Sequence, residues 1–289
     1  MKKTFFLFAT AILVTFSACN NFKTTAVLSS DLDSLNYAFG VIVGNQYLKP
    51  SLAEDTTKAN YKAYLTGFNK GFDSVPETEI EKVSAIFSGI QLRETLKEGF
   101  IFDDSTFVAN KKLIEKTVFE VLAGKDSING LTAQSAQQFY FKIYRQQRDT
   151  IKHELTAEQL DSLNVAFAIM QGGRAIARVD SAKKADFVKN YKKGYSIKSK
   201  SGKYSNLGFL VAASNYKPIS AGLEGKPELP LNAEIFKAGV AAALLGDTTI
   251  FTFEKAAMYY QTTITEKLFG KNKTEGEQFL SENGKREGV

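Results

Sequence analysis

One eight-residue segment occurs twice in this chain, and this repetition constrains the fold more than any other feature. The first occurrence, DSLNYAFG, begins at Asp33, and the second, DSLNVAFA, begins at Asp161. Six of the eight positions are identical. Similarity at a fixed offset is typical of an internal repeat, in which each copy builds the same structural unit. We therefore expect a tandem duplication, with one copy over residues 30–153 and a second over residues 156–289.

Further positions follow the same order in both copies, with small changes of offset. An aromatic and glycine pattern pairs Tyr64, Phe68, Gly71 and Phe72 with Phe187, Tyr191, Gly194 and Tyr195. A later pattern pairs Asn110, Ile114, Val118, Leu122 and Gly124 with Asn232, Phe236, Val240, Leu244 and Gly246. The repetition therefore extends over most of each copy.

Apolar residues recur at helical spacing in both copies. The first helix is expected to start near Ser30, with an apolar face formed by Leu35, Ala38, Phe39, Ile42 and Val43. A capping box at Thr156 is expected to start the corresponding helix of the second copy. Since no long stretch alternates with period two, the sequence predicts an all-α fold of two homologous helical domains. Residues 253–283 are expected to form a long final helix or a helix pair.

The amino-terminal residues resemble the export signal of a bacterial lipoprotein. Basic residues at positions 2 and 3 precede an apolar run that is too short to span a bilayer. This run ends in small residues before Cys19, the only cysteine of the chain. We expect residues 1–18 to be a signal peptide, Cys19 to carry lipid and residues 19–29 to be a tether. The alternative is an ordinary signal peptide with an incidental cysteine. The lipoprotein interpretation places the protein in the bacterial cell envelope, on the outer membrane facing the periplasm.

Charge and motif content argue against several classes of function. Basic and acidic residues are interleaved and the net charge is only +6, which is not the pattern of a nucleic-acid-binding protein. His153 is the only histidine, so we expect no metal site and no histidine-based catalytic triad. Asp103 and Asp104 could form an acid–base pair, but the position favours a helix cap. The glycines near Arg174 lack the spacing of a phosphate loop. We expect no catalytic residue and no small-molecule cofactor.

The last eleven residues, FLSENGKREGV from Phe279 to Val289, carry the most specific signal. They resemble the junction in FKBP-type peptidyl-prolyl isomerases of the FkpA/Mip-like group, where a helical amino-terminal domain meets the catalytic β-barrel. The opening segment from Leu32 to Gly40 resembles the start of that helical domain. The segments 88–92 and 236–239 are similar to its later parts. The resemblance covers most of the chain beyond Cys19, once in each copy.

This resemblance implies a function without catalysis in the chain itself. In the family, the helical domain dimerises and holds unfolded polypeptides, whereas the isomerase reaction belongs to the barrel. The barrel would begin where this sequence ends, so we expect no prolyl isomerase activity from it. We expect binding of unfolded or partner polypeptides through apolar helix faces, and membrane attachment through the lipid. The candidate polypeptide-binding residues are Phe39, Tyr64, Phe68, Phe167, Phe187 and Tyr191. The alternatives are an isomerase-family member that acts with a separate or missing barrel, and a purely structural envelope protein.

The duplication also predicts how the two copies meet. Because the family pairs two chains through this domain, one chain that contains two copies is expected to form the pair internally and remain a monomer. We expect the first helices of the two copies, residues 33–48 and 161–176, to pack against each other.

Overall fold

The computed structural model describes residues 22–52, 57–72, 76–97, 99, 101, 107–148, 154–216 and 222–284. These residues are predominantly helical, so the expectation of an all-α fold is confirmed. The regular strands among them are Ser127–Ile128 (β1) and Leu131–Thr132 (β2), which form a small hairpin. The predicted signal peptide, Cys19, the Asp103–Asp104 pair and His153 lie outside the described residues.

The described residues of the first half form six α-helices. Their bounds are Asp31–Val43 (α1), Lys49–Ser51 (α2), Lys58–Phe72 (α3), Glu77–Thr95 (α4), Lys111–Leu122 (α5) and Ala133–Arg148 (α6). Helix α1 continues into α2 through a π-helical turn, Gly44–Leu48. The Ser30 hydroxyl caps α1 by accepting from the Asp33 amide, and the Asn110 side chain caps α5 by accepting from the Leu113 amide. These caps satisfy amides that have no partner inside the helix.

Five further α-helices lie in the part of the second half that the structure describes. Their bounds are Ala157–Ile176 (α7), Lys184–Ser196 (α8), Lys200–Val211 (α9), Ala233–Leu245 (α10) and Phe253–Asn283 (α11). The predicted capping box at Thr156 is present, because its hydroxyl accepts from the Gln159 amide and the Gln159 side chain accepts from the Thr156 amide. Residues 253–283 form one long helix rather than a pair.

The helices of the first half pack mainly on helices of the second half. Helix α1 packs on α10 and α11, α3 packs on α9, and α4 packs on α8. In the same way, α7 packs on α5 and α6. The expectation that α1 and α7 pack against each other is wrong, because each of them forms its helix–helix interfaces with the last two helices of the opposite half.

At two of these interfaces, a glycine allows the backbones of the two helices to approach each other very closely. A Cβ atom at Gly67 in α3 would lie 1.8 Å from the Ser205 carbonyl oxygen of α9. A Cβ atom at Gly194 in α8 would lie 1.8 Å from the Ile86 carbonyl oxygen of α4. Since neither distance is possible for a real Cβ atom, each helix pair needs glycine at its crossing point.

The glycine contacts also correct the sequence-based pairing of α3 with α8. Gly208 faces the Tyr64 carbonyl and Gly89 faces the Tyr191 carbonyl, so Tyr64 and Tyr191 occupy equivalent places. The sequence analysis paired Tyr64 with Phe187, one helical turn away. That alignment placed Gly71 on Gly194, whereas the backbone contacts place Gly67 at the position equivalent to Gly194.

The two largest hydrophobic cores among the described residues each draw on both halves of the chain. The first core contains buried residues of α1, α3, α9 and α10, and we call these four helices the first module. The second core contains buried residues of α4, α5, α6, α7 and α8, and we call these helices the second module. The predicted domain boundaries describe segments of sequence, and each module combines helices from both segments. No helix in the described part of the chain is both long enough and apolar enough to cross a membrane.

Candidate functional site

Three of the residues predicted to bind polypeptide meet in the first module. Tyr64 and Phe68 have no exposed surface, and their ring centroids lie 6.1 Å apart. Phe39 is partly buried, and its ring centroid lies 5.4 Å from Phe236 and 5.4 Å from Tyr260. The three rings hold α1, α3 and α10 together.

The other three predicted residues belong to the second module. Phe167 is 7% exposed and Tyr191 is 2% exposed, while Phe187 is partly buried with its ring centroid 5.9 Å from Tyr191. Burial raises the pKa of the Tyr191 hydroxyl, so this group stays neutral at physiological pH. Four of the six rings are buried in the two cores, and Phe39 and Phe187 are partly buried beside them.

An apolar groove of about 580 Å³ opens on the surface of the second module. It lies between the end of α5, the β1–β2 hairpin, the middle of α7 and the start of α8. Its apolar lining is formed by Val121, Leu122, Ala123, Ile128, Leu131, Ala133, Ile169, Ile176, Ala185 and Val188. Binding sites of this size are typically apolar with a few polar groups at the edge.

Turn residues with positive φ shape one wall of this groove. Gly124 ends α5 with φ of 94°, and the hairpin turns through Asn129 and Gly130 with φ values of 50° and 76°. Glycine and asparagine tolerate this left-handed region better than other residues. The hairpin can therefore return at once to α6 and place Ile128 and Leu131 in the lining.

The rim of the groove carries charged groups of both signs. Lys125, Asp126 and Lys184 lie there beside the apolar lining. The Lys125 ammonium is 3.0 Å from the Glu120 carboxylate, yet its side chain remains 59% exposed. The rim can therefore pair with a carbonyl or carboxylate group of a ligand.

The carboxyl-terminal half of α11 is a second exposed apolar surface. Phe269, Phe279 and Leu280 are 58%, 59% and 66% exposed. They are on the same helix as Gly276, which has no atom within 4 Å of its Cβ position. Sequence analysis assigned Phe279 and Leu280 to the junction motif and did not consider them as binding residues.

The segment before α1 lies against the first module. Tyr37 donates a hydrogen bond to the Thr24 carbonyl, and the Thr24 hydroxyl donates to the Asp247 carboxylate. Burial and the nearby Asp247 raise the pKa of Tyr37 to about 12. Hydroxyl donors from Thr24 and Thr249 lower the pKa of Asp247. Residues 22–28 are therefore held in place, although they form neither helix nor strand.

In the described part of the chain, no three His, Cys, Asp or Glu side chains lie together in a way that could hold a metal ion. The groove also contains no histidine or cysteine. The chemistry available there is apolar contact, hydrogen bonding and charge pairing.

One region of the chain matches a known protein family. Residues 205–289 match the family described as the domain amino terminal to FKBP-type peptidyl-prolyl isomerase. The match covers less than half of the chain, and it shows that this region is similar to that helical domain. The match begins within α9 and includes α10 and α11, so it covers helices of the first module together with the long final helix. No curated protein and no solved structure matches the chain.

Proposed function

We propose that this chain is a non-catalytic envelope lipoprotein whose FKBP amino-terminal-type helical modules bind unfolded or partner polypeptide. The observation that carries the proposal is the open apolar groove of the second module, with charged groups on its rim. The family match at residues 205–289 supports a helical module of the isomerase family. Helical surfaces that recognise polypeptides commonly do so through apolar grooves.

We infer further that the two modules arose by duplication and form an internal pair. Support comes from equivalent pairings, since α1 with α10 and α11 corresponds to α7 with α5 and α6. A covalent link raises the effective concentration of one copy for the other to about the millimolar range. Light scattering on unlipidated mature protein is expected to give the mass of a monomer. A dimer mass at micromolar concentration would contradict the internal pair.

Attachment through a lipid on Cys19 is part of the same proposal. The support is the small-residue boundary before the only cysteine of the chain. Stable anchoring needs more than one acyl chain, as lipoproteins provide. Cys19→Ala is expected to move the protein from the membrane fraction to the soluble fraction, and unchanged membrane association would refute lipidation.

Suppression of aggregation tests the proposed binding activity. Unlipidated mature protein is added to insulin during reduction, and light scattering follows the unfolded chains. We expect scattering to rise more slowly at a stoichiometric amount of protein than with an equal mass of albumin. Equal scattering in the two samples would argue against polypeptide binding.

The family match also favours a second candidate, an isomerase-family protein that acts together with a barrel. A proline-peptide assay on this chain separates the two. The proposed function predicts turnover at the background rate, and turnover well above background would favour the isomerase.

A further inference from the structure

We propose that the face of the first module around Phe22 lies on the membrane surface, held there by the short link between Phe22 and the lipid on Cys19. The partner is the headgroup layer of a phospholipid membrane. This inference rests on the proposed lipidation of Cys19 and adds which part of the fold meets the membrane. It depends on how residues 22–28 are attached to the helices.

Residues 22–28 are fastened to the first module from their first residue onward. Phe22 packs against the first core. Two residues later, the Thr24 carbonyl accepts from the Tyr37 hydroxyl, and the Thr24 hydroxyl donates to the Asp247 carboxylate. The packed structure therefore begins at Phe22, nine positions before the first residue of α1.

The same segment has an inner and an outer side. Its partly buried residues are Phe22, Thr24, Ala26 and Leu28, and its exposed residues are Lys23, Thr25 and Val27. This alternation is typical of an extended segment that lies with one side on the protein. The segment is therefore a fixed part of the surface of the first module.

The link from this fixed segment to the proposed lipid is short. Cys19 precedes Phe22 by three positions, so their Cα atoms can lie no more than about 11 Å apart. A free tether over residues 19–29 would instead reach about 35 Å. The headgroup layer of one leaflet is about 5–8 Å thick. Because the lipid would hold Cys19 among the headgroups, Phe22 would stay at this layer or just above it.

The surface beside Phe22 must then face the membrane as well. An open cleft of about 790 Å³ lies there, between residues 22–27 and helices α3 and α10. Thr66 and Asn69 line it from α3, and Lys237 and Ala241 line it from α10. Since these side chains share the cleft with Phe22, the link brings them to the same lipid surface.

The exposed groups of this face suit a lipid–water interface. Val27 is 84% exposed, the largest exposed fraction among the large apolar side chains that the structure describes. Lys23 is exposed on the same side of the segment. The nearby Lys237 ammonium is 2.6 Å from the Glu234 carboxylate, which compensates its charge. An interface accepts both kinds of exposed group, because apolar side chains contact acyl chains and lysines remain with the phosphates.

A fluorescent label on this segment tests its distance from the lipid. Cys19 is the only cysteine and would be lipidated, so Lys23→Cys supplies one free thiol for a bimane label. The matched control is Val108→Cys, because Val108 is 53% exposed and lies just before α5 of the second module. The lipidated proteins are reconstituted in phosphatidylcholine vesicles that carry a spin-label quencher on the headgroup.

We expect strong quenching of the label at position 23 and little quenching at position 108. A flexible spacer of about twelve glycine and serine residues between Asn21 and Phe22 adds about 20 Å of average reach and leaves the lipid in place. Circular dichroism checks that the spacer variant is folded. We expect it to lose most of the quenching at position 23. Equal quenching at positions 23 and 108, or quenching at position 23 that the spacer leaves unchanged, would overturn the inference.

Membrane fractionation of Cys19→Ala separates this inference from the proposed lipidation. If Cys19→Ala is released but position 23 is not quenched in the lipidated protein, lipidation stands and the assignment of the face fails. If Cys19→Ala stays with the membrane but the spacer abolishes quenching at position 23, another attachment before Phe22 holds the same face. The assignment of the face then stands and lipidation fails.

Discussion

Asn36 and Asn164 form the same three hydrogen bonds. One of them lies within the asparagine's own helix, and the other two reach the opposite half of the protein. The Asn36 amide donates to the carbonyls of Leu32 and Pro230, and its oxygen accepts from the backbone of Asn232. Asn164 donates to Leu160 and Val108 and accepts from Asn110 in the same manner. Neither side chain has exposed surface. Each asparagine therefore ties the start of one helix to the loop before another.

Replacing either asparagine with leucine is expected to destabilise the fold. Asn36→Leu leaves the Asn232 amide and the Pro230 carbonyl without this buried partner, and Asn164→Leu does the same to Asn110 and Val108. The cost of such unpaired groups is about 1–3 kcal/mol in the free energy of unfolding. Urea unfolding measures it. Asn190→Leu is the control, because the Asn190 side chain donates to the Asp186 carbonyl of its own helix, and an equal loss in the control would contradict the prediction.

Glycine at the helix crossings makes a separate prediction. Gly67→Ala and Gly194→Ala must push α3 from α9 and α8 from α4, because the new methyl group would meet a backbone oxygen in each case. We expect each variant to lose about 1–3 kcal/mol or more in the free energy of unfolding. Gly173→Ala is the matched helical control, since no atom lies within 4 Å of its Cβ position. Thermal midpoints equal to those of Gly173→Ala would show that the crossings can relax.

The aromatic residues proposed from sequence can be tested as core residues. Phe68→Ala removes a fully buried ring and is expected to cost about 3–5 kcal/mol in the free energy of unfolding. Phe269→Ala removes a ring that is 58% exposed and is expected to cost far less. Denaturant titration compares the two. A Phe68→Ala variant of wild-type stability with weakened peptide binding would restore its role as a binding residue.

Acid should loosen the segment that covers the first module. The hydroxyls of Thr24 and Thr249 hold the pKa of folded Asp247 below its ordinary value of 3.8. The contribution of Asp247 to stability is therefore complete above the unfolded pKa and declines as pH falls through the lower folded pKa. Asp247→Asn is expected to cost about 1 kcal/mol at neutral pH. Urea midpoints of the two proteins should converge as pH falls below the ordinary pKa of 3.8, and a constant difference would contradict this assignment.

Local features of the sequence predicted the local features of the structure well. The cap at Ser30 and the capping box at Thr156 start helices where expected, because a cap depends only on residues a few positions away. Helical periodicity identified buried faces such as that of Leu35 and Ala38. Periodicity shows that one face of a helix is buried but does not identify the helix that packs on it. The pairing of α1 with α10 was therefore missed.

The candidate site was harder to predict for a related reason. A buried aromatic such as Tyr64 and an aromatic that lines a groove have the same helical spacing, so sequence could not separate them. Val188 lines the groove and stands where the first module has Tyr61, as the equivalence of Tyr64 and Tyr191 shows. That difference could have been found from sequence only with Gly67 aligned on Gly194, whereas the alignment matched Tyr64 with Phe187.

The hydrogen bond from the Asn232 amide to Asn36 joins residues 196 positions apart. The amino-terminal helix therefore receives its partners only after most of the polypeptide has been made. Contacts this distant slow folding, and they leave apolar faces exposed until the late helices arrive. A protein exported from its amino terminus would emerge with α1 unpaired while α10 is still on the other side of the membrane. Its own early helices would then need the same protection from aggregation that we propose it gives to other chains.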